Sequence, residues 1–205
     1  WLDGIEGYVV VPQSQGRVVT GGAFTVSAWV WQETNSASAF PTLFSDSRWG
    51  GDANWLGYML RFNAPQNRLI GIVGRGSQPA LETWIPWWRE RWSERWVHVA
   101  LVHDGETTRL YVDGSLWDER SGSFVPATNS AIYVGRGHVN EPDSGWRGKI
   151  DDFRIYGKAL TIEDLREMFD AQGDANGDGT SNLAAWRGGL DPRTNAGPVA
   201  AEGSL

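Results

Sequence analysis

The chain has 205 residues, no cysteine and a formal net charge of −7 at pH 7. Its length suits one or two domains, its hydrophobic fraction of 40% is enough for a core, and it contains no apolar run of about 18 residues that could span a membrane. The negative charge makes nucleic acid a poor partner because it repels phosphate, and the absence of cysteine excludes disulfide and thiolate chemistry.

Short segments of alternating polarity, separated by turn residues, dominate the first half of the chain. They predict strands at 7–11, 24–31, 42–45, 58–62 and 69–73. Within 24–31, every second residue starting at Phe24 is predicted to face the core. The stretch 47–54 is predicted to be a loop because of its Gly and Asp content.

The stretch 84–96 has a helical rather than a strand-like spacing. Trp88, Trp92 and Trp96 recur every four residues, which places side chains on one face of a helix. Pro86 would suit the start of a helix. We predict a short helical turn or an ordered loop that leads into the next strand.

Segment 96–114 has the pattern of a β-hairpin. Val97, Val99 and Leu101 alternate with residues of the opposite face, and Asp104-Gly105 tolerates the positive φ angles of a tight turn. The return strand at 110–112 is closed by a second Asp-Gly turn. Because an isolated hairpin is marginal in water, it must belong to a larger sheet.

The remaining segments continue the strands and add one helix. Strands are predicted at 115–124, 132–136 and 148–156. A helix begins at Thr161, whose hydroxyl can accept a hydrogen bond from the amide of Asp164, and ends at Gly173. Its apolar stripe consists of Leu165, Met168 and Phe169. Regularly spaced strands without long helices between them predict an antiparallel sandwich.

The hairpin resembles the signature of the laminin-G-like jelly roll in the concanavalin A-like lectin/glucanase superfamily: a Trp, then His-Val-Ala, an acidic-Gly turn and Leu-Tyr-Val-Asp-Gly. Segments 24–30, 132–136 and 148–156, with Ala159-Leu160, resemble further strands of that family in the same order. The resemblance implies an all-β, antiparallel two-sheet jelly roll over 1–171, including the closing helix. In the family's bacterial secreted form it also implies an extracellular or cell-surface location, with an export signal upstream.

The tail contains a loop with the spacing of a calcium site. Its five candidate ligands are Asp174, Asn176, Asp178, Thr180 and Asn182. The stretch resembles the calcium loops of dockerin and thrombospondin type-3-like repeats, so calcium is the expected cofactor. Ala185 departs from this pattern, because a bidentate acidic ligand is expected there, and a polar linker without an ion is the alternative. We assign 172–195 to this loop or linker and 196–205 to a flexible tail.

A second calcium site is implied by the resemblance. In the resembled family, an acidic residue near the first strand can meet one on the last strand around a structural ion, and Asp3 and Asp151 occupy the matching places. The alternative is that both are ordinary turn or strand-end carboxylates. If Asp151 shares a buried strand face with Phe153 and Ile155, it needs a cation or several amide donors.

The 13 tryptophans are an unusually large number for a core of this size. Tryptophan stacks well on the apolar face of a sugar, but it is also a large core side chain. We predict a glycan-binding surface on the loops of the sandwich, with core packing as the alternative for each tryptophan. The candidate residues are Trp49, Trp55, Trp84, Trp87, Trp88 and Trp92, with Asp52, Asn54 and Arg75 as hydrogen-bonding groups.

Arginine and glutamate alternate among the tryptophans of 84–96. Arg89, Arg91 and Arg95 could meet sulfate or uronate groups of a polysaccharide. They could equally pair with Glu90 and Glu94 along a solvated face. The alternation of the two charges favours the ion pairs.

No catalytic constellation is found in the sequence. Glycoside hydrolases of the resembled superfamily carry a Glu-x-Asp-x-Glu motif on one strand face, and this motif does not occur in the chain. We therefore predict a non-catalytic carbohydrate-binding module, stabilised by calcium, in a larger secreted or cell-surface protein. Its expected partners are a polysaccharide or glycan and the neighbouring domains. The alternatives are a structural or protein-binding adhesion module and, ranked last, a glycoside hydrolase.

Overall fold

The structure is a computed structural model that describes residues 2–5, 7–12, 19, 21–34, 38–49, 55–127, 130–137 and 141–169, without the side chains of residues 48, 49 and 142. The chain divides into two compact units, Trp1–Leu160 and Thr161–Leu205. Strands dominate the first unit, and a helix opens the second. None of the helices in these described ranges has the length and apolar character needed to cross a bilayer.

The described part of the first unit contains twelve strands and one helical turn. In chain order they are β1 (Leu2–Asp3), β2 (Val9–Val11), β3 (Phe24–Gln32), β4 (Thr42–Trp49), β5 (Trp55–Asn63), β6 (Arg68–Arg75), β7 (Gln78–Pro86), α1 (Trp88–Trp92), β8 (Val97–His103), β9 (Thr107–Val112), β10 (Ser115–Ser121), β11 (Ile132–Val134) and β12 (Arg147–Tyr156). A 3-10 turn at Pro142–Ser144 precedes β12. In the second unit, α2 spans Ile162–Phe169.

The strands form two six-stranded sheets. Sheet A has the order β1-β12-β3-β8-β9-β10, and sheet B has the order β2-β11-β4-β5-β6-β7. All pairings between the described strands are antiparallel. Consecutive strands β4 to β7 and β8 to β10 are hairpin neighbours, whereas strands from the two ends of the unit return to flank them. This arrangement confirms the predicted all-β, antiparallel two-sheet jelly roll.

The core lies between the sheets, where alternate residues of facing strands meet. Phe24 of β3 is fully buried, as its alternation predicts, and its ring stacks on Tyr58 of sheet B with centroids 4.5 Å apart. Phe124 packs against Phe24 at 4.9 Å. Because burying one large apolar side chain contributes about 1.5–3 kcal/mol, this layer is the main source of stability.

The turn between β9 and β10 has the conformation that its sequence predicts. Asp113 and Gly114 have φ angles of +48° and +67°, as a two-residue type I′ turn requires. Asp113 Oδ1 also accepts a hydrogen bond from the amide of His98 at 2.9 Å. This bond ties the turn to the neighbouring strand β8.

One lateral edge of the sandwich is closed by a side chain. β7 and β10 are outer strands of their sheets. Asp118 of β10 accepts a hydrogen bond through Oδ2 from the backbone amide of Trp84 in β7 at 3.0 Å. A bulge after Leu116 changes the register of β10 just before Asp118. The amide of Trp84 is therefore satisfied and does not remain open to another strand.

Two differences between the predicted segments and the structure concern candidate site residues. β4 continues to Trp49, so residues 47–49 of the predicted loop belong to a strand. Gly57 of β5 makes this pairing possible, because it has φ +80° and a Cβ at this position would clash with the carbonyl of Asp46. The helical part of the predicted turn or loop at 84–96 is shorter than the pattern suggests. Pro86, which would suit a helix start, ends β7 instead, and the helix is confined to α1.

Helix α2 begins where the sequence predicts. Thr161 Oγ1 accepts a hydrogen bond from the amide of Asp164 at 3.2 Å, and Asp164 Oδ2 accepts one from the amide of Thr161 at 2.9 Å. This reciprocal pair is a capping box. Leu165 and Met168 are the buried residues of the helix. The predicted end at Gly173 lies outside the described residues.

Candidate ligand surface at helix α1

A ladder of tryptophans connects the core to the surface at α1. Trp88 is fully buried, and its indole Nε1 donates a hydrogen bond to Gln32 Oε1 at 2.7 Å. Its ring stacks on Trp92 with centroids 5.2 Å apart. Trp92 in turn meets Trp117 of β10 edge-on at 4.9 Å. Each ring is therefore positioned by the one beneath it, and Trp117 lies at the solvent end.

Three side chains form the exposed surface above this ladder: Trp87, Arg91 and Trp117, called here the α1 surface. Trp87 is 60% exposed and Trp117 is 39% exposed. The guanidinium carbon of Arg91 lies 5.4 Å from the ring centroid of Trp87 and 5.7 Å from that of Trp117. Leu116, beside Trp117 in β10, is 44% exposed. Clustered large apolar side chains in contact with solvent are typical of a binding surface.

Asn67, in the turn between β5 and β6, holds the start of α1. Trp87 occupies the N-cap position but provides no side-chain hydrogen bond. The backbone carbonyl of Asn67 accepts a hydrogen bond from the amide of Trp88 at 3.2 Å, and Asn67 Oδ1 accepts one from the amide of Arg89 at 3.0 Å. These amides are among those that a helix start leaves without intrahelical partners. Asn67 therefore caps α1 from another element of the fold.

The backbone of Trp87 is strained. Its φ and ψ angles are +52° and +41°, in the left-handed region that costs a non-glycine residue about 1–2 kcal/mol. This conformation links the end of β7 at Pro86 to the start of α1 at Trp88 while the Trp87 indole stays in solvent. A bulky residue kept in a strained conformation is more common at functional sites than elsewhere.

The ion pairs predicted within 89–95 are not formed. Glu90 Oε2 accepts a hydrogen bond from Asn67 Nδ2 at 2.6 Å. Glu94 Oε1 accepts hydrogen bonds from the amide and the hydroxyl of Thr34 at 2.9 and 3.1 Å. Both carboxylates therefore bind polar groups of other elements rather than the arginines beside them in sequence.

The predicted glycan residues do not form one surface. Trp88 and Trp92 are 0% and 6% exposed, so their predicted contact with a sugar is corrected to a supporting role in the core. Trp55 and Trp84 pack beside Met59 on the outer face of sheet B. Among the predicted tryptophans with described side chains, Trp87 alone belongs to the α1 surface.

The other predicted glycan residues lie elsewhere. Arg75 lies beside Gly122: a Cβ added to Gly122 would come within 3.2 Å of Arg75 Nε. Arg75 does not belong to the α1 surface. The side chain of Trp49, together with Asp52 and Asn54, lies outside the described residues. The sequence interpretation missed Trp117, because a short polar strand gave no reason to single it out. The feature of the sequence that could have identified Trp117 is the pair of adjacent apolar residues 116–117, which breaks the alternation of the strand at the bulge.

The two carboxylates predicted to share a calcium ion are far apart along the sheet. Asp3 pairs with Arg147 of β12. Asp151 lies four residues further along the same strand, which corresponds to about 13 Å. Asp3 Oδ1 accepts hydrogen bonds from the amides of Ile5 and Gly7 at 2.8 and 3.0 Å, as a turn carboxylate does. Among the described residues, no group of three His, Asp or Glu side chains is arranged to hold a metal. The tail ligands Asp174, Asn176, Asp178, Thr180 and Asn182 lie outside those residues.

The two histidines of β8 are core residues. Burial, together with the smaller effect of the nearby positive charge of Arg154, lowers the pKa of His98 to about 3, so His98 is neutral at pH 7. Burial also lowers the pKa of His103, whose Nδ1 lies 2.9 Å from the hydroxyl oxygen of Thr108. Neither imidazole is therefore suited to proton transfer near neutral pH.

A two-sheet jelly roll with an exposed indole surface is the architecture of a β-sandwich binding module. Residues 3–166 match the Laminin_G_3 family, described as the concanavalin A-like lectin/glucanases superfamily. The match covers most of the chain, and the chain belongs to this family. No curated protein matches the sequence.

Solved structures with a similar fold include receptor-binding domains of botulinum neurotoxins. The serotype D binding domain is 14% identical, with a TM-score of 0.61 over 83% of this chain and 41% of that chain. The binding domain of botulinum neurotoxin DC in complex with SialylT is 15% identical, with a TM-score of 0.53 over 74% and 36%. The chain thus spans less than half of these proteins, and identities this low show the fold alone. The match to the laminin G-like family agrees with the prediction that the domain is a binding module rather than an enzyme. The toxin structures are themselves described as binding domains.

Proposed function

We propose that the domain is a non-catalytic glycan-binding module of a larger secreted or cell-surface protein, and that it binds a saccharide on the α1 surface. The observation that carries this proposal is Trp87: a tryptophan 60% exposed, held in a left-handed conformation and fixed by the cap that Asn67 provides. A structural role alone gives no reason to keep such a large apolar side chain in solvent at a strained position.

The chemistry of the α1 surface suits a sugar. A pyranose ring has an apolar face, which stacks on an indole, and a rim of hydroxyl groups, which need hydrogen-bond partners. Trp87 and Trp117 supply two indoles, and Arg91 between them supplies donors. The ladder beneath Trp117 keeps its ring in place without ligand, which lowers the entropic cost of binding. The toxin domain in complex with SialylT is consistent with a saccharide role for this architecture.

A protein-binding role is the second candidate, and a different surface favours it. β2 is an outer strand of sheet B, and Tyr8, Val9 and Val10 are 39%, 57% and 41% exposed. An apolar strand at an open edge can pair with an extended segment of another protein. A second toxin neighbour is a complex with rat synaptotagmin II.

The glycan proposal is tested with a glycan array followed by affinity electrophoresis on plant and algal polysaccharides. The wild-type chain should be retarded by at least one polysaccharide, and Trp87→Ala and Trp117→Ala should each weaken binding about 5- to 20-fold, since aromatic stacking contributes on the order of 1–2 kcal/mol. Tyr8→Ala is the matched control, because it truncates an exposed aromatic side chain outside the α1 surface, just before β2. Thermal unfolding by circular dichroism verifies that each variant is folded.

Two outcomes would count against the α1 surface. If Trp87→Ala and Trp117→Ala bind the polysaccharide as the wild type does, the saccharide does not contact these rings. If the folded wild-type chain binds no glycan on the array, whereas it captures a protein partner that Tyr8→Ala loses, the module serves adhesion through β2.

A further inference from the structure

Arg91 is an exposed cation that lies among aromatic rings. Within the parts of the chain that the structure describes, it forms no ion pair, and its guanidinium lies over three tryptophan rings at 5.4–5.7 Å. Asp118, in the strand that carries Trp117, is engaged by Arg120 at 2.7 Å and by the amide of Trp84 at 3.0 Å. Glu90 and Glu94 are bound to polar groups of other elements.

Arg91 differs in this respect from Arg95 and Arg109, whereas Arg68 and Arg89 of the same unit likewise lie over an aromatic ring. Arg95 pairs with Asp113 at 3.2 Å. Arg109 pairs with Asp104 at 2.5 Å and with Glu119 at 3.2 Å. Ring faces stabilise a cation but do not neutralise it. The α1 surface therefore has a local positive charge, although the chain as a whole has a net charge of −7.

We propose that the α1 surface selects acidic saccharides, with the guanidinium of Arg91 binding a carboxylate or sulfate group of a sugar that stacks on Trp87 or Trp117. The planar guanidinium matches both anions through two parallel hydrogen bonds. The rings on either side stabilise its charge through cation–π contacts. This inference rests on the proposed function. It is favoured over the pairing with glutamates expected from the sequence because Glu90 and Glu94 bind Asn67 and Thr34.

The test uses the full chain and two matched pairs of polysaccharides in affinity electrophoresis. One pair is polygalacturonate and its carboxyl-reduced form, and the other is dextran sulfate and dextran. The wild-type chain should bind the acidic member of at least one pair about fivefold more tightly than the neutral member, the effect of one partly solvated charge pair. Which pair shows the preference identifies carboxylate or sulfate as the anion. The preference should decrease at 0.5 M NaCl because salt screens exposed charges.

Arg91→Gln should remove the preference, because it should weaken binding of the acidic member more than binding of the neutral member. Arg91→Lys should keep part of it, because lysine retains the charge but not the planar fork. The matched control is Lys158→Gln, which removes one charge from an exposed side chain outside the α1 surface. If Lys158→Gln reduces the preference as much as Arg91→Gln does, net charge explains it and the inference is wrong.

The inference and the proposed function fail in different ways. Binding of neutral glycans that depends on Trp87, without any preference for the acidic members, would overturn the role of Arg91 and leave the module a lectin. Absence of binding to any of the four polysaccharides and to the array would overturn both.

Discussion

Replacement of Asn67 by alanine tests whether the α1 surface is held from the turn between β5 and β6. The substitution removes the cap to the amide of Arg89 at 3.0 Å and the hydrogen bond to Glu90 Oε2 at 2.6 Å. Loss of a helix cap costs about 1 kcal/mol, whereas the bond to the exposed Glu90 adds little. Asn67 also has φ +52°, which alanine tolerates less well than asparagine by about 1 kcal/mol. The free energy of unfolding should therefore fall by about 2 kcal/mol.

The matched variant Asn67→Gly separates the two contributions. Glycine loses the same hydrogen bonds but adopts φ +52° without strain, so its expected loss is only about 1 kcal/mol. Urea unfolding of the full chain, followed by circular dichroism, measures both losses. Both variants should bind glycan more weakly than the wild type, because α1 loses the side-chain part of its cap in each. An alanine variant within about 0.3 kcal/mol of the wild type, or two capless variants with unchanged affinity, would refute the reasoning.

The fold should become less stable as the pH decreases from about 6.5 towards 3, because His98 takes up a proton only when the chain unfolds. Burial lowers the pKa of His98 to about 3 in the folded state, whereas an unfolded histidine titrates near 6.5, so only the unfolded state takes up the proton in this window. The free energy of unfolding should fall by up to about 1.4 kcal/mol per pH unit there, and His98→Asn should reduce this slope between pH 6.5 and 5; equal slopes would show that His98 does not contribute. For the tail, we propose that calcium binds the 174–182 loop. Calorimetric titration should then give a heat that Asp174→Asn with Asp178→Asn abolishes, and a wild-type chain without such a heat would contradict this.

The architecture was predictable because its signals are local. The alternation starting at Phe24 specifies which face of β3 is buried, and a slip by one residue would expose that face, so the pattern fixes the register as well. The Asp113-Gly114 turn is equally local, since both residues must adopt positive φ angles. The capping box at Thr161 depends on residues three apart. None of these requires knowledge of the tertiary fold.

The α1 surface was only partly predictable because it depends on contacts between distant segments. The spacing of Trp88 and Trp92 correctly indicates a common helical face, but not that this face is turned to the core, which Gln32 and the packing of the sheets decide. Trp117 reaches the ladder through a bulge in β10. The cap from Asn67 acts across more than 20 residues of sequence, because a helix of five residues cannot position itself.

The short length of α1 also explains why the predicted ion pairs failed. Pairing between charges three or four residues apart requires both to lie on a continuous helix. α1 ends at Trp92, and Glu94, beyond it, has φ +59° and binds Thr34. Glu90, in the middle of α1, accepts a hydrogen bond from Asn67, the residue that caps the helix. The contacts that fix this short helix thus engage both Glu90 and Glu94 and leave Arg91 among the indoles. The way the surface is built and the charge that it offers to a ligand therefore have the same structural origin.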